Sequence, residues 1–113
     1  MNRVEVVGTL TRDAETTRTD RGFAIWEATL AVNGARFDPD SSEHVVTTVF
    51  VRVKAVGWEA EKLDGWRLSR GEELYVLGEF DQLEVVKEDG TKDTKTRVAV
   101  TYAVPTRRKP TPI

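Results

Sequence analysis

Apolar and polar side chains alternate with a period of two along most of this chain, and the alternation falls into five segments. Near residues 2–10, Val4 and Val6 interleave with Arg3 and Glu5 before Gly8, Leu10 and a Thr11-Arg12-Asp13 bend. Successive side chains on a strand point to opposite faces, so this pattern predicts a half-buried strand. A second strand is predicted near 23–33, with Ala24, Trp26, Ala28, Leu30 and Val32 on one face and Phe23, Ile25, Glu27 and Thr29 on the other. A third covers about 45–56, turning Val49, Val51, Val53 and Ala55 inward and Phe50, Arg52, Lys54 and Val56 outward. The fourth runs near 73–87. The fifth runs near 95–104, where Val98, Val100, Tyr102 and Val104 alternate with Arg97, Ala99 and Thr101. One phase per strand predicts a core of Val6, Trp26, Leu30, Val51, Val53, Leu74, Val76 and Val100.

The period changes once, between the third and fourth strands. Trp58-Glu59-Ala60-Glu61-Lys62-Leu63 reads as a short helix running towards Leu68, weakened by Gly65 and stopped by Ser69-Arg70-Gly71. The connections Thr11–Gly22 and Gly34–Glu43 are polar, and Asp89-Gly90 is a hairpin turn signal. Beyond Val104 come Pro105, Pro110 and Pro112 with Arg107, Arg108 and Lys109, which predicts a folded domain over 1–104 and a basic, proline-rich disordered tail over 105–113.

The composition narrows the class. A chain of 113 residues buries one core without staples, and the absence of cysteine excludes a disulfide framework or a thiolate metal site. No run of 18 apolar residues suggests a membrane span, and Arg3 and Glu5 interrupt any signal-like apolar stretch, so a cytoplasmic location is expected. Seventeen Lys and Arg against 19 Asp and Glu leave a net charge of −2, so any contact with phosphate must come from local clusters rather than from an overall field.

Three phrases carry a resemblance: Asn2-Arg3-Val4 through Gly8-Thr9-Leu10-Thr11-Arg12-Asp13, Glu27-Ala28-Thr29-Leu30-Ala31-Val32, and Arg70-Gly71-Glu72-Glu73-Leu74-Tyr75-Val76-Leu77-Gly78. Together, over residues 2–104, they resemble the bacterial single-stranded DNA-binding proteins. That resemblance implies an all-β OB-fold, a five-stranded Greek-key barrel with one short helix between the third and fourth strands. It implies a non-enzymatic protein that coats single-stranded DNA in replication, recombination or repair, using aromatic rings as stacking platforms. The family's aromatic midway along the third strand falls on Phe50, whereas Val56 and Val85 stand where two further rings are usual. In the loop after the second strand the family's aromatic falls on Arg36, with Phe37 beside it. The usual basic run before the last hairpin reads Asp81-Gln82-Leu83-Glu84. The family's acidic C-terminal tip is replaced by Arg107-Arg108-Lys109-Pro110-Thr111-Pro112-Ile113, so recruitment of repair enzymes through such a tip is not expected. Assembly through the first strand is implied as well, with a homotetramer favoured over a homodimer and Arg3 of one chain near Glu5 of the other.

The expected DNA-binding residues are therefore Phe50, Arg52 and Lys54, a basic-aromatic stripe on one strand face, together with Arg36, Phe37 and Trp58. Trp26 and Trp66 read as packing. His44 is the sole histidine and lacks the partners of a triad or metal cage, and no glycine-rich phosphate loop is present. No catalytic residue, metal or cofactor is expected. The competing reading is an OB-fold protein-interaction module whose outer face docks a protein through Glu79, Asp81 and Glu84 with Leu77, Leu83 and Val85.

Overall fold

The alternating segments pair into a sheet that closes on itself. The computed structural model describes residues 1–109. Its elements are β1 (Val4–Leu10), β2 (Glu15–Arg18), β3 (Ala24–Asp38), β4 (Glu43–Val56), α1 (Trp58–Trp66), β5 (Glu73–Val86) and β6 (Lys92–Arg107). β1 runs antiparallel to β5 from Val4↔Gly78 to Thr9↔Glu73, β5 to β6, and β3 to β4. Two further ladders close the ring: Val53↔Val98 and Lys54↔Ala99 join β4 to β6 in parallel, and Thr9↔Ala31 and Leu10↔Leu30 join β1 to β3. Five strands form the barrel of an OB-fold, with the helix between β4 and β5.

The inward phase matches the expected core. Trp26, Leu30, Val53, Leu74 and Val76 are at most 1% exposed, and Val6, Val51 and Val100 pack half-buried at its margin. Ala60 and Leu63 of α1 complete it. The helix carries Glu59 and Glu61 in its first turn, where the dipole favours acid, and Lys62 meets Glu59 at 2.7 Å. It ends at Arg67 in the left-handed conformation, whose N–H donates to Asp64 O at 3.1 Å, before the expected stop. Among the described residues no helix is long and apolar enough to cross a membrane.

Four features depart from the alternation pattern. β2 lies in what reads as a polar connection and pairs outside the ring with Ala24–Glu27 of β3. β3 and β4 extend as a ladder to Asp38↔Glu43, so Arg36 and Phe37 sit in a strand, not in a loop. In β6 the register steps from Gly78↔Val100 to Leu77↔Tyr102, which leaves Thr101 as an extra residue and flips the phase. Tyr102 is accordingly 46% exposed and Ala103 fully buried. The Ala103 N–H beside this bulge donates to Glu59 Oε1 at 2.9 Å.

The fourth departure is the tail. Pro105–Arg107 belong to β6, and Arg108 and Lys109 are tied down by Glu72, so the segment expected to be disordered from 105 is ordered as far as Lys109. Pro110–Ile113 lie outside the described residues. The Glu72 carboxylate is 3% exposed and accepts from Ser69 N at 2.8 Å, Ser69 Oγ at 3.0 Å, Lys109 N at 3.2 Å and the Arg108 guanidinium. Arg108 also donates to Trp66 O at 2.9 Å and lies over the Trp66 ring. Burial pushes the Glu72 pKa up, but these hydrogen bonds outweigh it and hold the group at about 2. A folded-state pKa below the unfolded value contributes stability above the unfolded pKa and loses it as pH falls through the folded one. Stability should therefore drop between about pH 4.5 and pH 2, by about 2–3 kcal/mol from this group. Urea midpoints of the Glu72→Gln variant over that range check it: a wild-type slope retained in the variant removes Glu72 as its cause.

Candidate nucleic-acid interface

β3 and β4 keep fourteen consecutive partners without a register shift, so the outward phase is constant along the whole hairpin. At its barrel end this face sets Phe50 opposite Ala31, Arg52 opposite Thr29, and Lys54 opposite Glu27. The small Ala31 leaves the Phe50 ring 68% exposed. β4 and β6 share two ladder pairs. Before them in sequence the strands part, and a cleft opens between Val49–Arg52 on one side and Thr96–Val98 on the other.

The cleft has two adjoining hollows that share Thr29, Arg52, Thr96 and Arg97. One, of about 380 Å³, is lined by Phe50 from β4 and Phe80 from β5. The other, of about 200 Å³, is lined by Arg12, Arg52, Lys54, Lys95 and Arg97, with Glu15 and Glu27 as its acidic members. Five cations against two carboxylates make this groove locally basic in a chain whose net charge is −2. Arg97 is partly neutralised by Asp81 at 3.0 Å. Flat apolar rings at one end and guanidinium and ammonium groups at the other suit a ligand with exposed aromatic faces on an anionic backbone.

Phe50, Arg52 and Lys54 thus lie together, as their spacing predicts. The other three expected residues lie elsewhere. Phe37 shares the outward phase with Phe50 but stands six residues further along the ladder, roughly 20 Å away, edge-on to His44 at 5.7 Å. Arg36, one residue off in phase, faces the opposite side of the hairpin. Trp58 is 92% exposed at the start of α1, in a separate groove with Phe23 and Glu61, whose wall carries the Arg18–Glu61 ion pair at 2.5 Å.

Phe80, Lys95, Arg97 and Arg12 were not singled out from the sequence. Phe80 sits on the same phase as the core residue Val76 and so reads as interior, yet it lies two residues beyond the last β1–β5 ladder pair, Val4↔Gly78, and is 57% exposed. The acidic run at 81–84 hid the positive charge, which arrives across the ladder: Asp81 faces Arg97 and Leu83 faces Lys95.

Residues 1–104 match the Single-strand binding protein family. The chain belongs to that family. The single-stranded DNA-binding protein of Thermus thermophilus is 33% identical over 112 residues, which cover 95% of this chain and 38% of that protein. This chain therefore spans well under half the length of that curated relative. Among solved structures, a deletion mutant of the single-stranded DNA binding protein from Thermus aquaticus superposes with a TM-score of 0.82 at 27% identity, over 95% of this chain and 51% of the other. A Plasmodium falciparum SSB in complex with ssDNA gives the same TM-score at 16% identity, covering 93% of this chain and 94% of that one, and shares the fold. The family match covers every residue that lines the cleft, so family membership and groove lie in the same part of the chain.

Proposed function

We propose that this chain is a non-enzymatic, cytoplasmic single-stranded DNA-binding protein acting in replication, recombination or repair. Bases stack on Phe50, and Arg52, Lys54, Lys95 and Arg12 pair with phosphates along the cleft. The observation that carries this reading is the basic groove ending at an exposed ring, in a chain that is acidic overall. Phe37 and Arg36 offer flanking contacts further out on the β3–β4 hairpin. Titrating oligo-dT against salt tests it. With Arg97 held by Asp81, three or four phosphates are neutralised, and at about 0.7 per contact the slope of log K against log salt is about −2 to −3. Phe50→Ala loses about 1–3 kcal/mol of binding. Silence at micromolar DNA, or wild-type affinity in the Phe50 variant, sinks the reading.

The competing protein-docking role is disfavoured because two of its three acidic residues are occupied. Asp81 pairs with Arg97, and Glu84 with Lys92 at 3.3 Å. Homo-oligomerisation through β1 belongs to the same proposal, since its second edge over Val4–Gly8 has no strand partner among the described residues. The expected contact between Arg3 and Glu5 of different chains has an intrachain competitor. Arg3 meets its own Glu5 at 3.0 Å, and Glu5 also accepts from Tyr75 OH at 3.0 Å. Light scattering coupled to size exclusion should give a dimer or tetramer of the 12.7 kDa chain.

A further inference from the structure

Phe50 and Phe80 enter one hollow from different strands, and both are more than half exposed. The aromatic rings in contact among the described residues are Phe37 with His44 and Tyr75 with Tyr102. Phe50 and Phe80 are therefore not in ring contact with each other, although both border the hollow. Arg52 and Arg97 line the same space, so two cationic groups and two exposed apolar rings border one hollow.

The backbone beneath Phe80 is held by a side chain. β1 and β5 pair as far as Val4↔Gly78, and continuing that register by two positions sets Asn2 against Phe80. There Asn2 Nδ2 donates to Phe80 O at 2.9 Å, and Asn2 Oδ1 accepts from Phe80 N at 2.9 Å. A carboxamide carries the same donor and acceptor as a peptide unit, so one side chain extends the ladder by a residue. Holding both backbone groups of Phe80 sets the direction in which its ring leaves β5.

We propose that Phe50 and Phe80 clamp a single unpaired base between them, and that Asn2 is the positioning residue that keeps Phe80 in the clamp. This rests on the single-stranded DNA reading and deepens it. In a duplex, both faces of a base are covered by its neighbours, so a gap with a ring on either side admits only an unstacked base. The clamp also supplies a second ring in a chain where Val56 and Val85 offer none.

The test uses the full chain and oligo-dT of about 4 to 16 nucleotides, the range of site sizes for one OB-fold. Phe80→Ala should weaken binding about 5- to 150-fold, the fold-change that corresponds to losing one stacked base. Phe80→Leu keeps the apolar bulk without a π-face and should weaken it similarly, whereas Phe80→Trp should bind at least as well as the wild type. The Phe50→Ala/Phe80→Ala double variant should lose less than the product of the two single losses, because either change alone opens the clamp. Asn2→Ala should cost about two- to tenfold in the wild type and nothing in the Phe80→Ala background, with unchanged melting curves. Wild-type affinity in both Phe80→Ala and Phe80→Leu, with Arg52→Ala/Lys54→Ala still impaired, overturns the clamp and leaves the DNA reading standing. If the Arg52→Ala/Lys54→Ala variant also binds normally, both fall. An Asn2→Ala loss that persists in the Phe80→Ala background overturns the positioning role.

Discussion

Replacing Trp26 by alanine should lower the unfolding free energy by about 3–5 kcal/mol and the thermal midpoint by on the order of 10–20 °C. Trp26 is 1% exposed and is the largest fully buried side chain among the described residues. What raises the expected cost is the company it keeps. Ala24 and Ala28 flank it on the inner face of β3, Ala55 lies opposite on β4, and buried Ala60 comes from α1. These residues are small because the indole occupies the space between strands and helix. Once it is gone, their methyl groups are too short to fill the volume, and the residual cavity adds to the lost transfer free energy. Phe50, Arg52 and Lys54 of the proposed DNA-binding cleft lie on the outward phase of the same hairpin, opposite to Trp26, so the folded fraction of the variant should bind oligo-dT with the affinity of the wild type. Urea denaturation followed by circular dichroism measures the first effect. A loss below about 1 kcal/mol would show that the indole is not the centre of the barrel.

The barrel was legible in the sequence where burial on one face imposes a period of two, as in β3, where Ala24, Trp26, Ala28 and Leu30 are all buried. It was illegible where backbone bonds, not side chains, define the element. β2 is Glu15-Thr16-Thr17-Arg18, with no apolar residue, and its place follows from pairing with Ala24–Glu27. The Thr101 bulge escaped notice because Val98, Val100, Tyr102 and Val104 alternate without a break, although Gly78 across the ladder marks a place where backbones come close. The buried Glu72 was hidden for a different reason. Its partner Ser69 is local, but Arg108 lies 36 residues away, and nothing in a basic tail announces which carboxylate will hold it. At the site, Phe50, Arg52 and Lys54 share a strand and could be read together. Phe80 and Arg97 join them because β4 and β6 part, a property of the closed barrel that no one strand carries.

Gly78 is where that closure should prove least tolerant. A methyl group built there would lie 2.2 Å from Ala99 O and 2.8 Å from Val98 Cγ1. The difficulty is close approach, since Gly78 is not among the residues with positive φ. A flexible side chain would swing away from such a contact, but Ala99 O belongs to the backbone of β6. Ala99 is also the partner of Lys54 in the two-pair ladder that joins β4 to β6. Relieving the clash therefore means shifting the strand that closes the barrel and forms one wall of the cleft. Gly78→Ala should cost at or beyond the upper end of about 1–3 kcal/mol, the usual penalty for overpacking. Its remaining folded fraction should also bind DNA less tightly, because Phe80 lies two residues on and Arg97 beside Val98. Two other glycines serve as internal standards. At Gly8 a Cβ meets Leu30 Cβ at 2.9 Å and Ala31 O at 3.0 Å, a milder conflict, and at Gly34 it meets only the Thr47 hydroxyl at 3.3 Å. The alanine variants should therefore lose stability in the order Gly78, Gly8, Gly34, with the last close to wild type. A Gly78→Ala protein that melts with the wild type would mean that β5 and β6 do not approach as closely as the ladder requires.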